Sequence, residues 1–212
     1  MGNLILGKEY FEFSQIQPSA ETKNLDSYII SMIKKIQPGD LLLVRTPGIG
    51  YSIGRKLARN THDHIAVVLN KGVTLNIVNP ITVIRPISIF CKPNRNPLIL
   101  RPKWRDMEQR KRFVKEMEKF SNSVYNVKKT IFGFFFTSLY GWLGIRMPMK
   151  KLDESAKRWI CTEAILISLL KTFPKFKVIN NIKLDYHSLG FATINDFLRI
   201  SKHFPELLNT ID

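Results

Sequence analysis

Cysteine is scarce in this chain of 212 residues, which holds only Cys91 and Cys161. Two thiols are too sparse for a disulfide framework or a cysteine zinc site, so the chain reads as a protein of a reducing compartment. Acidic residues are also few, with 17 Asp+Glu against 33 Lys+Arg and a formal net charge of +16. Such an excess attracts an anionic partner, whether a membrane surface, a nucleic acid or an acidic substrate. The basic residues are scattered, as in Lys34-Lys35, Lys128-Lys129 and Lys150-Lys151. No basic block with interleaved aromatics forms a nucleic-acid-reading module, so no nucleic-acid partner is expected. Long apolar runs are missing as well. The longest, residues 131–145, spans about fifteen residues with three glycines, short of the ~20 a transmembrane helix needs. Lys8, Glu9 and Glu12 interrupt any secretory signal. The glycines of Pro47-Gly48-Ile49-Gly50 lack the spacing of a phosphate-binding fingerprint and read as turn residues. Neither a cofactor nor a metal is expected, and the expected location is cytoplasmic, with peripheral membrane contact as its extension.

What is present suits a folded core: 44% of the residues are hydrophobic, over a length that supports one sizeable domain. Residues 1–36 read as an N-terminal segment ending in an amphipathic helix, with Leu25, Ile29, Met32, Ile33 and Ile36 on one face. Gly2 after Met1 invites an N-myristoylation reading, although Leu6 stands where Ser or Thr is expected. Residues 37–212 form the main domain. There Pro38-Gly39-Asp40 turns into Leu41-Leu42-Leu43-Val44, a continuous apolar run suited to a buried strand. A short basic helix follows over residues 52–59. Strands are expected at 65–69, 73–78, 83–84, 87–90 and 98–101, and a surface helix over 104–120 carries Met107, Phe113, Val114, Met117 and Phe120. The aromatic run at 131–145 reads as buried core, or as an acyl-chain pocket or membrane-contact lobe flanked by lysines. An apolar helix runs from Cys161 to Thr172, and Thr193 with Asp196 opens a last helix.

One constellation carries chemistry. Cys161 opens its helix, where the positive end of the helix dipole and the free N–H groups favour thiolate over thiol. Far upstream, His64 heads the strand Ile65-Ala66-Val67-Val68-Leu69, so a thiol and a base are available as a nucleophile pair. Asn70-Lys71-Gly72 makes the hairpin turn. With Lys71-Gly72 as a two-residue loop, Asn70 faces Val73, the ladder places Asn79 opposite His64, and Asn76 faces Val67. A three-residue loop shifts that register by one. His62 is the rival base, while His187 and His203 lack comparable context.

Gly39-Asp40-Leu41, the histidine-headed hairpin strand, Asn79, Leu100-Arg101-Pro102, Tyr125-Asn126 and Cys161-Thr162-Glu163 together resemble the circularly permuted papain-like fold of the NlpC superfamily. The YiiX-like permuted amidases and their poxviral relatives are the nearest branch, and lecithin retinol acyltransferase is more distant. The resemblance covers residues 37–200 and has the permuted order, with the histidine strand before the cysteine helix. It implies an α+β fold in which a small antiparallel sheet or half-barrel packs against helices. It also implies a cysteine-dependent amide or ester hydrolase or acyltransferase acting on an acyl or amide substrate, with lipid among the candidates. In that reading Cys161 is the nucleophile, His64 the general base, and Asn79 the polar residue orienting the imidazole, as in Cys-His-Asn proteases. Tyr125 takes the place of a tyrosine near the site. Thr162 conservatively replaces the usual serine after the cysteine. Asp63 departs from the serine usual before the histidine, and either raises the His64 pKa or points to the other face of the strand. The alternative class is a catalytically silent module that binds a membrane or a protein through its basic surface.

Overall fold

The computed structural model describes residues 20–57, 60–128, 158–173 and 194–211. A strand that is apolar on both sides has to be covered on both sides, and β1 (Leu41–Val44) is wholly buried. It lies inside a six-stranded antiparallel sheet of order β4-β3-β2-β1-β5-β8, with β2 (His64–Val68), β3 (Val73–Asn76), β4 (Val83–Pro86), β5 (Leu98–Pro102) and β8 (Leu208–Ile211). A separate parallel pair joins β6 (Val124–Tyr125) to β7 (Arg158–Trp159). The α+β class and the antiparallel sheet expected from the sequence are both present.

Alternation along the strands divides the core in two. Leu41, Leu43, Ile65, Val67, Leu75 and Leu100 point to one face, where they meet α3 (Met107–Glu118), α4 (Cys161–Thr172) and α5 (Ile194–His203). Leu42, Val44, Ala66, Val68 and Ile99 point to the other, covered by α1 (Ala20–Lys35) through Ile29, Met32 and Ile33, and by Ile36 just past its end. Ile29, Met32 and Ile33 of the apolar stripe read from the sequence therefore form the packing face of α1. Gly39 opens β1 at φ 85°, and a Cβ there would come within 3.2 Å of the Trp104 ring and the Arg110 stem, so only glycine fits.

Three local expectations are corrected. Residues 87–90 are not a strand: Pro86 closes the β3–β4 ladder, and a 3-10 turn at Ile87–Ile89 rolls Ile87 and Phe90 into the α1-side core. Met107 is exposed instead of lying on the apolar face of its helix. Asp106 caps α3, its carboxylate accepting the Gln109 N–H while the Gln109 side chain accepts the Arg105 N–H. Met107 is thus the first helical residue, ahead of Phe113 and Met117, which supply the buried contacts. The terminal strand β8, not foreseen, pairs with β5 and makes the sixth strand. The aromatic run at 131–145, Gly2 and Thr193 lie outside the described residues.

Candidate functional site

Cys161 is the first residue of α4 and belongs to the core on the α3/α4/α5 face of the sheet, 8% exposed. The backbone groups of Ile65, Thr162 and Cys161 itself favour the thiolate. The Ile65 N–H is available because the β2–β3 ladder pairs Val67 with Leu75 and stops at Asn76, leaving the head of β2 beyond its partner. Burial nevertheless dominates, and the thiol is pushed up to about 11, with the Glu163 charge adding to the rise. Burial thus opposes the effect expected of the helix N-terminus. A dipole interaction worth ~0.3–2 kcal/mol does not offset the removal of a charged sulfur from water. Cys91, on the opposite side of the sheet, is likewise pushed up by burial to about 11.

His64 has other partners. As the neighbour-but-one of Ala66 and the ladder partner of Val44, it faces the α1 side, where its ring stacks on Phe90 with centroids 6.3 Å apart. Its Nε2–H donates to the Asn76 side-chain oxygen. No hydrogen bond joins it to Cys161, which sits against the opposite face. Burial lowers the His64 pKa, an effect opposed by the Asn76 bond and the Asp63 charge and reinforced by Arg95.

The partner of His64 is Asn76 and not Asn79, which is exposed. Register is the reason. Leu69 N–H donates to Val73 O, the loop is the three residues Asn70-Lys71-Gly72, and Val67 pairs with Leu75. The ladder therefore sets Asn76 across from Ala66, diagonal to His64 on the same face, within reach of a long side chain. The Asn70 side chain accepts the Gly72 and Val73 N–H groups and closes the longer loop. Asn76→Ala should cost ~1–3 kcal/mol in urea unfolding, since it leaves a half-buried ring N–H unpaired. Asn79→Ala should stay within ~0.5 kcal/mol, as exposed positions do.

The remaining candidates fall into place around these two. Asp63 accepts the Thr46 N–H at 2.9 Å and pairs with Arg55, tying α2 (Ile49–Leu57) to the sheet. The Asp63 carboxylate is turned to Arg55, and its charge opposes without reversing the lowering of the His64 pKa. His62 is structural, donating from Nε2 to Asn96 O at 3.0 Å with Thr61 at Nδ1. Thr162 is buried in the first turn of α4. Tyr125 lies opposite Trp159, the Asn126 N–H donates to Trp159 O, and the Tyr125 ring packs on the core of the Cys161 face. Tyr125 and the segment leading into Cys161 are thus brought together, while His64 is bonded to Asn76 and Asn79 is exposed. A cavity of about 330 Å³ opens at the β5–β8 edge, lined by Arg101, Lys103, Trp104, Met107, Arg110 and Ile211, none of them a candidate site residue.

The lowered pKa values of His62 and His64 also set a pH dependence. Each ring is held neutral in the fold, so the native chain binds fewer protons than the unfolded one below the ordinary value of 6.5. Stability from this source is complete above that value and is lost as pH falls through the lowered ones. The urea midpoint should drop between pH 7 and pH 5, and the drop should shrink in His62→Gln.

Compared with known proteins, the chain matches no family model and no curated relative. Among the described residues no helix is long and apolar enough to cross a membrane.

Proposed function

We propose that the chain is a cysteine-dependent acyl-transfer enzyme, an amide or ester hydrolase or acyltransferase with Cys161 as nucleophile. The observation that carries this reading is the place of Cys161 at the first position of α4, where the backbone groups of Ile65, Thr162 and Cys161 itself favour its thiolate. Fixed donors at that place serve the thiolate first and then the oxyanion that develops when sulfur adds to a carbonyl. The sulfur attacks the acyl carbonyl and forms a thioester, and the amine or alcohol leaves with the thiol's proton. Water or another acceptor then cleaves the thioester and returns the proton to sulfur. The permuted NlpC resemblance assigns the proton shuttle to His64, which would have to leave Asn76 and rearrange at the head of β2. The substrate class is an acyl amide or ester, with lipid favoured by the net charge of +16.

A second reading, a catalytically silent membrane- or protein-binding module, is favoured by a different observation. His64 is bonded to Asn76 and stacked on Phe90, across the sheet from a thiol that burial keeps protonated. An activated acyl ester carrying a reporter separates the two. The enzyme reading expects acylation of the wild type on Cys161 by peptide mass mapping, none in Cys161→Ala, and labelling at least ~10²-fold slower in His64→Ala. An unlabelled wild type, or equal labelling of Cys161→Ala, overturns it. Unchanged labelling of His64→Ala removes the histidine from the mechanism.

A further inference from the structure

An amphipathic helix on a folded domain ordinarily turns its apolar stripe inward, and α2 does the reverse. Its residues Ile49, Ile53 and Leu57 recur every four positions along one side, and they are 81%, 53% and 44% exposed. None of the nine residues of α2 is buried. What holds the helix down is polar: Arg55, about half a turn from the stripe, donates to Thr46 O at 2.9 Å and pairs with the Asp63 carboxylate. Lys56, exposed, flanks the stripe. The surrounding sequence is uniformly basic, since residues 41–62 contain Arg45, Arg55, Lys56 and Arg59 and no acid.

We infer that α2 docks the protein on an anionic lipid surface, lying in the membrane plane with Ile49, Ile53 and Leu57 inserted at the headgroup boundary. An apolar line with cations beside it is what an interfacial helix requires. Area argues against a protein partner, because three side chains on nine residues fall well short of the ~800 Å² per partner of a stable interface. Charge argues for anionic lipid, because each cation near such a surface adds ~1 kcal/mol of attraction. The inference names a docking surface for the lipid-directed reading of function, and it stands on α2 alone, so it survives if Cys161 proves inert.

Vesicle co-sedimentation of the full chain tests it, with phosphatidylcholine alone and with phosphatidylcholine containing phosphatidylserine. The wild type is expected to sediment with the phosphatidylserine vesicles, less so as salt rises. Ile53→Glu/Leu57→Glu should weaken this binding on the order of tenfold or more, and Lys56→Glu should weaken it without touching the stripe. Ile84→Glu, at an exposed apolar site on β4, and Cys161→Ala should bind as the wild type does. Circular dichroism verifies that each variant is folded. Equal binding to both vesicle types, or undiminished binding by the Ile53/Leu57 variant, overturns the proposal. So does a wild-type dimer in sedimentation velocity that this variant dissociates, since the stripe would then be covered by a second copy.

Discussion

Asp40→Ala is expected to destabilise the fold by ~3–5 kcal/mol, the cost of breaking a buried ion pair by removing one partner. The Asp40 side chain is 1% exposed. One carboxylate oxygen accepts Arg101 Nε, and the other accepts Arg101 Nη2 and the Gln37 N–H, all at 2.8 Å. Arg101 also donates from Nη2 to Lys35 O at 2.6 Å, so one guanidinium joins the end of α1, the entry to β1 and strand β5. The bidentate geometry suits arginine and no other cation, and the Asp40 contact raises the Arg101 pKa. Because Arg101 is 24% exposed, water partly replaces the lost carboxylate, which places Asp40→Ala towards the lower end of the range. At ~2–4 °C per kcal/mol for a chain of this size, the midpoint of thermal unfolding should fall by roughly 6–15 °C. Arg101→Ala should cost at least as much, since the carboxylate it abandons has almost no access to water. A change below ~1 kcal/mol in both variants would show that the pair is redundant.

That ion pair bears on what the resemblance rests upon. Gly39-Asp40 and Leu100-Arg101-Pro102 contributed to the likeness to permuted papain-like proteins, and in the fold Asp40 and Arg101 are a clamp between the entry to β1 and β5. Motif order therefore reports architecture as readily as chemistry. Patterns with local causes were legible: the apolar run at Leu41–Val44, the α1 stripe and the helix from Cys161 to Thr172 each form where periodicity places them. Residues 87–90 were not, because Ile87, Phe90 and Cys91 fit one side of a tight turn as well as a strand.

The candidate site was less legible than the elements that carry it. Cys161 and His64 each stand where the sequence implies, at the head of a helix and the head of a strand. Which side of the sheet each occupies depends on long-range packing, which no spacing within either element encodes. A single residue in the hairpin loop decided between Asn76 and Asn79, since a shift of one turns every side chain to the other face. The thiol's protonation followed from burial that only the assembled core supplies.

Phe113→Ala is expected to cost ~3–5 kcal/mol, as truncation of a fully buried aromatic does. Phe113 is 0% exposed in the core between α3 and α4, its ring 5.0 Å from that of Trp104, which in turn meets Phe173 just past the end of α4. The cavity would open beneath the helix that holds Cys161, so the loss can be followed at the sulfur. Buried thiols near 11 react with iodoacetamide only slowly at pH 8, and much of their labelling passes through opened states. With a tenfold change per 1.4 kcal/mol, opening by complete unfolding would accelerate labelling by ~10²–10³·⁵. Cys91 provides the comparison, because it is buried on the other face of the sheet. Equal acceleration at both cysteines means that α4 opens only with the whole fold. Acceleration confined to Cys161 means that α4 detaches from the sheet locally. That motion would expose the sulfur and the Ile65 N–H together, as an acyl substrate requires. Labelling unchanged at both sites, with full stability, would show that the α3–α4 contact closes over the missing ring.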